Sequence, residues 1–204
     1  MYKEAFEKLE LEEIATILEE VNPHFGGLVF DPVQTTILAW DMPFYKGYRF
    51  LDIADHTAMP ALQRFAIYKP GEVIVIDFTN EPIYALNQKA PLHLTEDNIE
   101  DYIRFFFTYV RGRHGRFLIV ENVDDIAWKE DPPPAARKAI AGMMCSITMN
   151  GHGEDGAYDL EACMIFKDSL FKSKVAVDAK GFVKLSNEEL LIEDMPVLDD
   201  MLGQ

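Results

Sequence analysis

Leu62-Gln63-Arg64-Phe65-Ala66-Ile67-Tyr68-Lys69-Pro70-Gly71-Glu72-Val73-Ile74-Val75-Ile76-Asp77-Phe78 places two runs rich in β-branched and aromatic residues either side of Pro-Gly, the pattern of a β-hairpin. Pro-Gly suits a type II turn, which matches hairpin twist less well than the primed types, so a slightly longer loop is expected. Pairing across it puts Phe65, Ile67, Ile74, Ile76 and Phe78 on one face, the core side, and Arg64, Ala66, Tyr68, Val73, Val75 and Asp77 on the other. The second face is mixed rather than polar. Something is therefore expected to cover it: another element, a partner or a ligand.

Upstream, strand-like runs at residues 28–30, 35–40 and 48–53 are separated by Asp31-Pro32, Met42-Pro43 and Lys46-Gly47, the chemistry of turns, and so extend the hairpin into an antiparallel meander. Residues 3–20 read as an amphipathic helix. Phe6, Leu9, Ile14, Ile17, Leu18 and Val21 form its apolar stripe, Glu fills the other face, and Asn22-Pro23 stops it. Downstream, Thr95 reads as the N-cap of a second helix, with Glu96 and Asp97 in the positive first turn and an end near Arg111. Ile99, Tyr102, Ile103, Phe106 and Val110 line one stripe, and Phe105, Phe107 and Tyr109 widen it almost all round, so this helix is expected to be the most buried of all. Residues 117–120 read as an interior strand, residues 135–143 as a short helix, and residues 145–149, 158–166, 171–177 and 182–185 as further strands.

Helices are few and strands run consecutively, which predicts an α+β fold: mostly antiparallel sheet in meander hairpins, packed against the N-terminal amphipathic helix and the central aromatic-rich helix. The 204 residues suit a single α+β domain with two lobes, residues 1–92 and 93–204.

Nineteen Lys and Arg against thirty-five Asp and Glu give a net charge of −16, a field that repels phosphate backbones and anionic headgroups. Nucleic acid and membrane are thereby excluded as partners. The charge gathers at the ends, in residues 1–20 and 186–204. No stretch approaches the ~18 apolar residues that span a bilayer, no glycosylation sequon occurs, and there are only two cysteines, so a cytoplasmic protein with reduced thiols is the expectation. Matching the apolar alternation Cys145/Ile147/Met149 to Leu160/Ala162/Met164/Phe166 puts Cys145 and Cys163 on opposite sides of the sheet.

Three segments bear chemistry. Arg111-Gly112-Arg113-His114-Gly115-Arg116 is the one basic cluster; its cations suit the negative end of the preceding helix or the chain's own acids, while its glycines and bidentate donors also suit an anion. Asp52, Asp55 and His56 form D-x-x-D-H at a strand end, a base or metal-ligand set if a further group converged, and otherwise turn chemistry. Gly151-His152-Gly153-Glu154-Asp155-Gly156 fits G-x-G-x-x-G, but a strand follows and its acids repel phosphate, leaving a glycine-rich hairpin loop with at most weak cation binding by His152, Glu154 and Asp155. H-E-x-x-H, G-x-S-x-G, Walker A, C-x-x-C and EF-hand patterns are absent. No cofactor and no metal is expected.

A non-catalytic, acidic binding or regulatory protein is the function expected, inhibitor- or immunity-like, with a basic-surfaced protein or a second copy of itself as partner. The alternative is an enzyme for a small anionic substrate, with Arg111, Arg113 and Arg116 as anchors and His114 or His56 as acid or base.

Overall fold

The structure is a computed structural model and describes residues 6–153 and 156–198. It is an α+β fold with four helices and two antiparallel sheets of five strands each. The chain divides into two compact units, Met1–His93 and Leu94–Gln204. None of the described helices is long and apolar enough to cross a membrane.

The first unit is a meander in the order β1 (Glu7–Lys8), β2 (Thr35–Asp41), β3 (Arg49–Asp55), β4 (Leu62–Lys69) and β5 (Glu72–Val75), with helices α1 (Leu11–Val21) and α2 (Glu81–Lys89). Pro70-Gly71 closes the β4–β5 hairpin directly, since Lys69 pairs with Glu72 and Gly71 takes a φ of +81°; the longer loop expected from turn type is not needed. The mixed face of that hairpin has its cover within the same unit. Tyr68, Leu62, Val73 and Val75 pack with Ile14, Ile17, Leu18 and Val21 of α1 around Ile37, Leu51 and Ile53. Of the three covers expected for this face, another element, a partner or a ligand, it is another element, helix α1, that occupies it. The other face of the sheet carries rings: Phe50 stacks on Phe65 at 5.8 Å and Trp40 meets Phe44 edge-on at 5.8 Å.

Two elements of this unit depart from the sequence pattern. Residues 7–8 pair with Ala39 and Leu38 as an edge strand instead of forming the first helical turn, and Phe6 lies 6.2 Å from both Trp40 and Phe50, off the α1 stripe to which it was assigned. Residues 28–30 are not a strand, because Asn22 satisfies Phe30 with its side chain, accepting from its N–H at 2.9 Å and donating to its carbonyl at 3.0 Å.

The second unit holds α3 (Ile99–Tyr109), β6 (Phe117–Ile119), α4 (Pro134–Ala141), β7 (Thr148–His152), β8 (Tyr158–Phe166), β9 (Ser169–Val177) and β10 (Val183–Ile192). The order is β10-β9-β8-β6, with β7 also on β8. The edge of β8 is shared: β6 pairs with its last three residues and β7 with its first four. Helix α3 buries six of its eleven residues and is fastened to the sheet where the Tyr102 hydroxyl donates to the Gly181 carbonyl at 2.7 Å. It starts four residues after Thr95, whose carbonyl instead accepts from the N–H of Asn98 and Ile99 in a preceding turn.

Cys145 and Cys163 form a disulfide, contrary to the expectation of two reduced thiols on opposite sides of the sheet. Side-chain alternation does not separate these two cysteines, for two reasons. Strand β7 begins only at Thr148, so Cys145 lies in an irregular segment where parity does not apply. Strand β8 is covered on both faces, with Leu160, Ala162, Cys163 and Met164 all fully buried, so apolarity does not mark a single inward side.

Candidate functional site

In the basic loop, Gly112 and Gly115 exchange both backbone bonds, at 2.9 and 3.2 Å, leaving Arg113-His114 as a two-residue turn. Gly115 has a φ of +135°, and a Cβ there would meet the Phe166 ring at 3.0 Å, so the position requires glycine. Arg111 and Arg116 flank this bridged pair, close enough for the Arg111 charge to act on Arg116. Arg116 Nη1 donates to the Thr108 carbonyl at 2.9 Å, capping the last turn of α3. Burial, and then the neighbouring Arg111 charge, push the Arg116 guanidinium down to about 10, against an upward influence of Tyr109, so it stays charged at neutral pH. Arg113 and His114 are exposed at the tip. The loop thus brings together two of its three arginines and assigns one of them to the helix end.

Asp52 and Asp55 point to opposite faces of β3, and the His56 charge acts on both. Strand alternation puts Asp55 on the α1 face with Ile53, while Asp52 shares the opposite face with Phe50. Burial raises the Asp52 carboxyl, opposed by a 2.7 Å bond from Gln63 Nε2 and by the nearby His56. Asp55 accepts from the Thr57 hydroxyl at 2.7 Å and from the Thr57 N–H at 2.8 Å, bonds that hold its carboxyl below the usual range and account for it as a turn-former. His56 is exposed in the first unit, whereas the arginines belong to the second. In the glycine-rich loop, the His152 ring packs on Tyr158 at 4.7 Å and its Nε2 lies 3.7 Å from Glu96. Glu154 and Asp155, the other members of the possible cation set, lie outside the described residues. Among the described residues, no group of three or more His, Cys, Asp or Glu is arranged to hold a metal.

A further site was not foreseen. In the second unit, Trp128 bridges to Val197, Lys129 N–H donates to the Pro196 carbonyl at 2.8 Å, and Leu198 N–H donates to the Ala127 carbonyl at 2.7 Å. This pairing of remote segments, with α4 beside it, encloses an open cleft of about 300 Å³. Its floor is Trp128, Ile140, Ile192 and Met195, and its rim carries Glu130, Asp131, Glu193 and Asp194. All four carboxylate residues are exposed, and none makes an ion pair among the described residues. Nearby cations are otherwise placed: Arg137 pairs with Asp124, and Lys129 does not line the cleft. The floor belongs to the same apolar cluster as Cys163 and Cys145, so the disulfide sits behind it. In the sequence, Asp131-Pro132-Pro133-Pro134 reads only as a break before a helix; the contact with residues 193–196 has no local signal.

Comparison of the chain with protein-family models, with curated proteins and with solved structures finds no match. Its class rests on the observed architecture, an α+β protein with two antiparallel sheets.

Proposed function

We propose that the protein is a non-catalytic, acidic binding or regulatory protein that docks a partner with a basic surface, in the manner of an inhibitor or immunity protein. The observation that carries this is the cleft of the second unit, where four carboxylates with no ion-pair partner among the described residues rim an apolar floor. Apolar contact supplies affinity, and the uncompensated charge supplies orientation and a fast encounter with a cationic surface. The net charge of −16 acts in the same direction at longer range. A cytoplasmic location goes with this function, and the paired cysteines weigh against it, so the redox state of Cys145 and Cys163 in the native cell is its test.

The test of docking is calorimetric titration of the full chain with a Lys- and Arg-rich peptide and with its Gln-substituted counterpart. Binding of the first alone, weakening as salt is raised, is expected; equal binding of both, or of neither, contradicts it. The neighbouring charges of Arg111 and Arg116 favour a second function, an enzyme holding a small anion there with His114 as acid or base. Inorganic phosphate that raises the melting temperature of the wild type but not of Arg111→Gln would favour it.

A further inference from the structure

We infer that the group seated in the cleft is a single long cationic side chain of the partner, a lysine or an arginine, its alkyl stem lying on Trp128, Ile140 and Met195 and its head among the rim carboxylates. The inference rests on the docking function above and specifies what is docked. Size selects the occupant first. About 300 Å³ is at the lower end of ligand pockets. A helix about 10–12 Å across does not fit such a space, whereas one extended side chain does.

Chemistry selects it second. Lysine and arginine are the side chains that bury a three- or four-carbon stem while keeping a charged head in water, which matches an apolar floor beneath a charged rim. The Trp128 indole N–H is committed to the Val123 carbonyl at 3.2 Å, so the ring is held in place, and tryptophan is the best aromatic partner for a cation. The rim acids come in two pairs on facing segments, Glu130-Asp131 and Glu193-Asp194. Negative charge on both sides of the cleft attracts a cation placed between them. A neutral apolar side chain leaves that charge unanswered, and an anion is repelled by it. A bare metal ion is disfavoured because it needs several oxygens at about 2 Å, which the apolar floor does not offer, whereas an ammonium or guanidinium head needs only one or two of the rim carboxylates.

The experiment uses the full chain and four small probes: the N-acetyl amides of arginine, lysine, citrulline and norleucine. Its readout is the indole ¹H–¹⁵N resonance of Trp128, with the buried Trp40 as internal reference. The arginine and lysine probes are expected to shift the Trp128 resonance with mM affinity, the range that ligands of this size reach. The citrulline and norleucine probes are expected to shift it at least tenfold more weakly. The variant E130Q/D131N/E193Q/D194N changes only exposed residues, so it is expected to keep the fold, read from its amide spectrum, and to lose the response by tenfold or more. Norleucine binding as well as arginine, or the fourfold variant binding as well as the wild type, overturns the inference. If a Lys- and Arg-rich peptide binds the chain while no probe moves Trp128, docking occurs elsewhere and only this inference falls. If that peptide does not bind either, the docking function falls with it.

Discussion

Cys163 has no exposed surface in the middle of β8, and its sulfur is joined to Cys145 from a segment outside the ladder. Thiol titration of the unfolded, unreduced chain is therefore expected to find no free thiol and, after reduction, two. Two before reduction would show that the segment at residues 143–147 is not tied down. The bond closes a loop of 18 residues, for which chain entropy implies a stabilisation of roughly 3 kcal/mol, so Cys145→Ser should lower stability by about that much. Arg104 is the other residue with an outsized role. It meets Glu121 through two bonds of 2.9 and 3.0 Å, and Glu121 in turn accepts from the Ile147 N–H at 3.3 Å. Burial pushes the Glu121 carboxyl up, but the Arg104 bonds and charge outweigh it and hold the group below its ordinary range. A depressed carboxylate contributes stability that is present above its unfolded pKa and lost as pH falls through its folded pKa. Arg104→Met is expected to cost about 2 kcal/mol near neutral pH and to flatten the decline in stability on acidification. An unchanged acid limb of the stability curve would contradict the coupling. Neither pairing was legible in the sequence, because each joins residues that only the tertiary fold brings together.

Helix α3 was the element most legible in sequence, since an apolar stripe reinforced by Phe105 and Phe107 has no exposed arrangement. It buries six residues where α1 buries four, as its composition implied. Phe106→Ala, at a position 6% exposed, should cost roughly 3–5 kcal/mol in urea unfolding, and a loss under about 1 kcal/mol would show that the ring is not packed as described. Boundaries were less legible where side chains compete with the backbone. Asn22 replaces the ladder partners of Phe30, and the Asn98 side chain accepts from the Thr95 N–H at 2.8 Å, delaying the start of α3. Strand β10 runs to Ile192, so part of the acidic C-terminal end is an edge strand in which Glu188 and Glu189 are exposed. Charge on an edge discourages pairing with another sheet, a sufficient structural reason for those two acids. Helix α2 went unread because its nine residues bury only Ile83 and Leu86, too sparse a period to stand out.

At the scale of the whole molecule, the acidity was plain from composition, but its purpose depends on which carboxylates are compensated. On α1, Glu13 pairs with Arg49 at 2.6 Å and Glu20 accepts from the Tyr68 hydroxyl, whereas the four acids of the cleft have no such partners among the described residues. The mixed hairpin face, whose expected cover is another element, a partner or a ligand, is covered by α1, the first of the three, and the cleft lies where residues 128–133 meet residues 192–196. Opposed carboxylates at the rim are expected to make the affinity for a basic peptide fall at least tenfold between about 10 mM salt, where charges are screened over about 30 Å, and about 150 mM, where the length is about 8 Å. The most direct measurement is amide chemical-shift mapping of the full chain with a Lys- and Arg-rich peptide, repeated on E130Q/D131N/E193Q/D194N. Docking at the cleft requires shifts concentrated at residues 128–133 and 192–196 that vanish in the variant. Shifts confined to other surfaces, or retained in the variant, would contradict it.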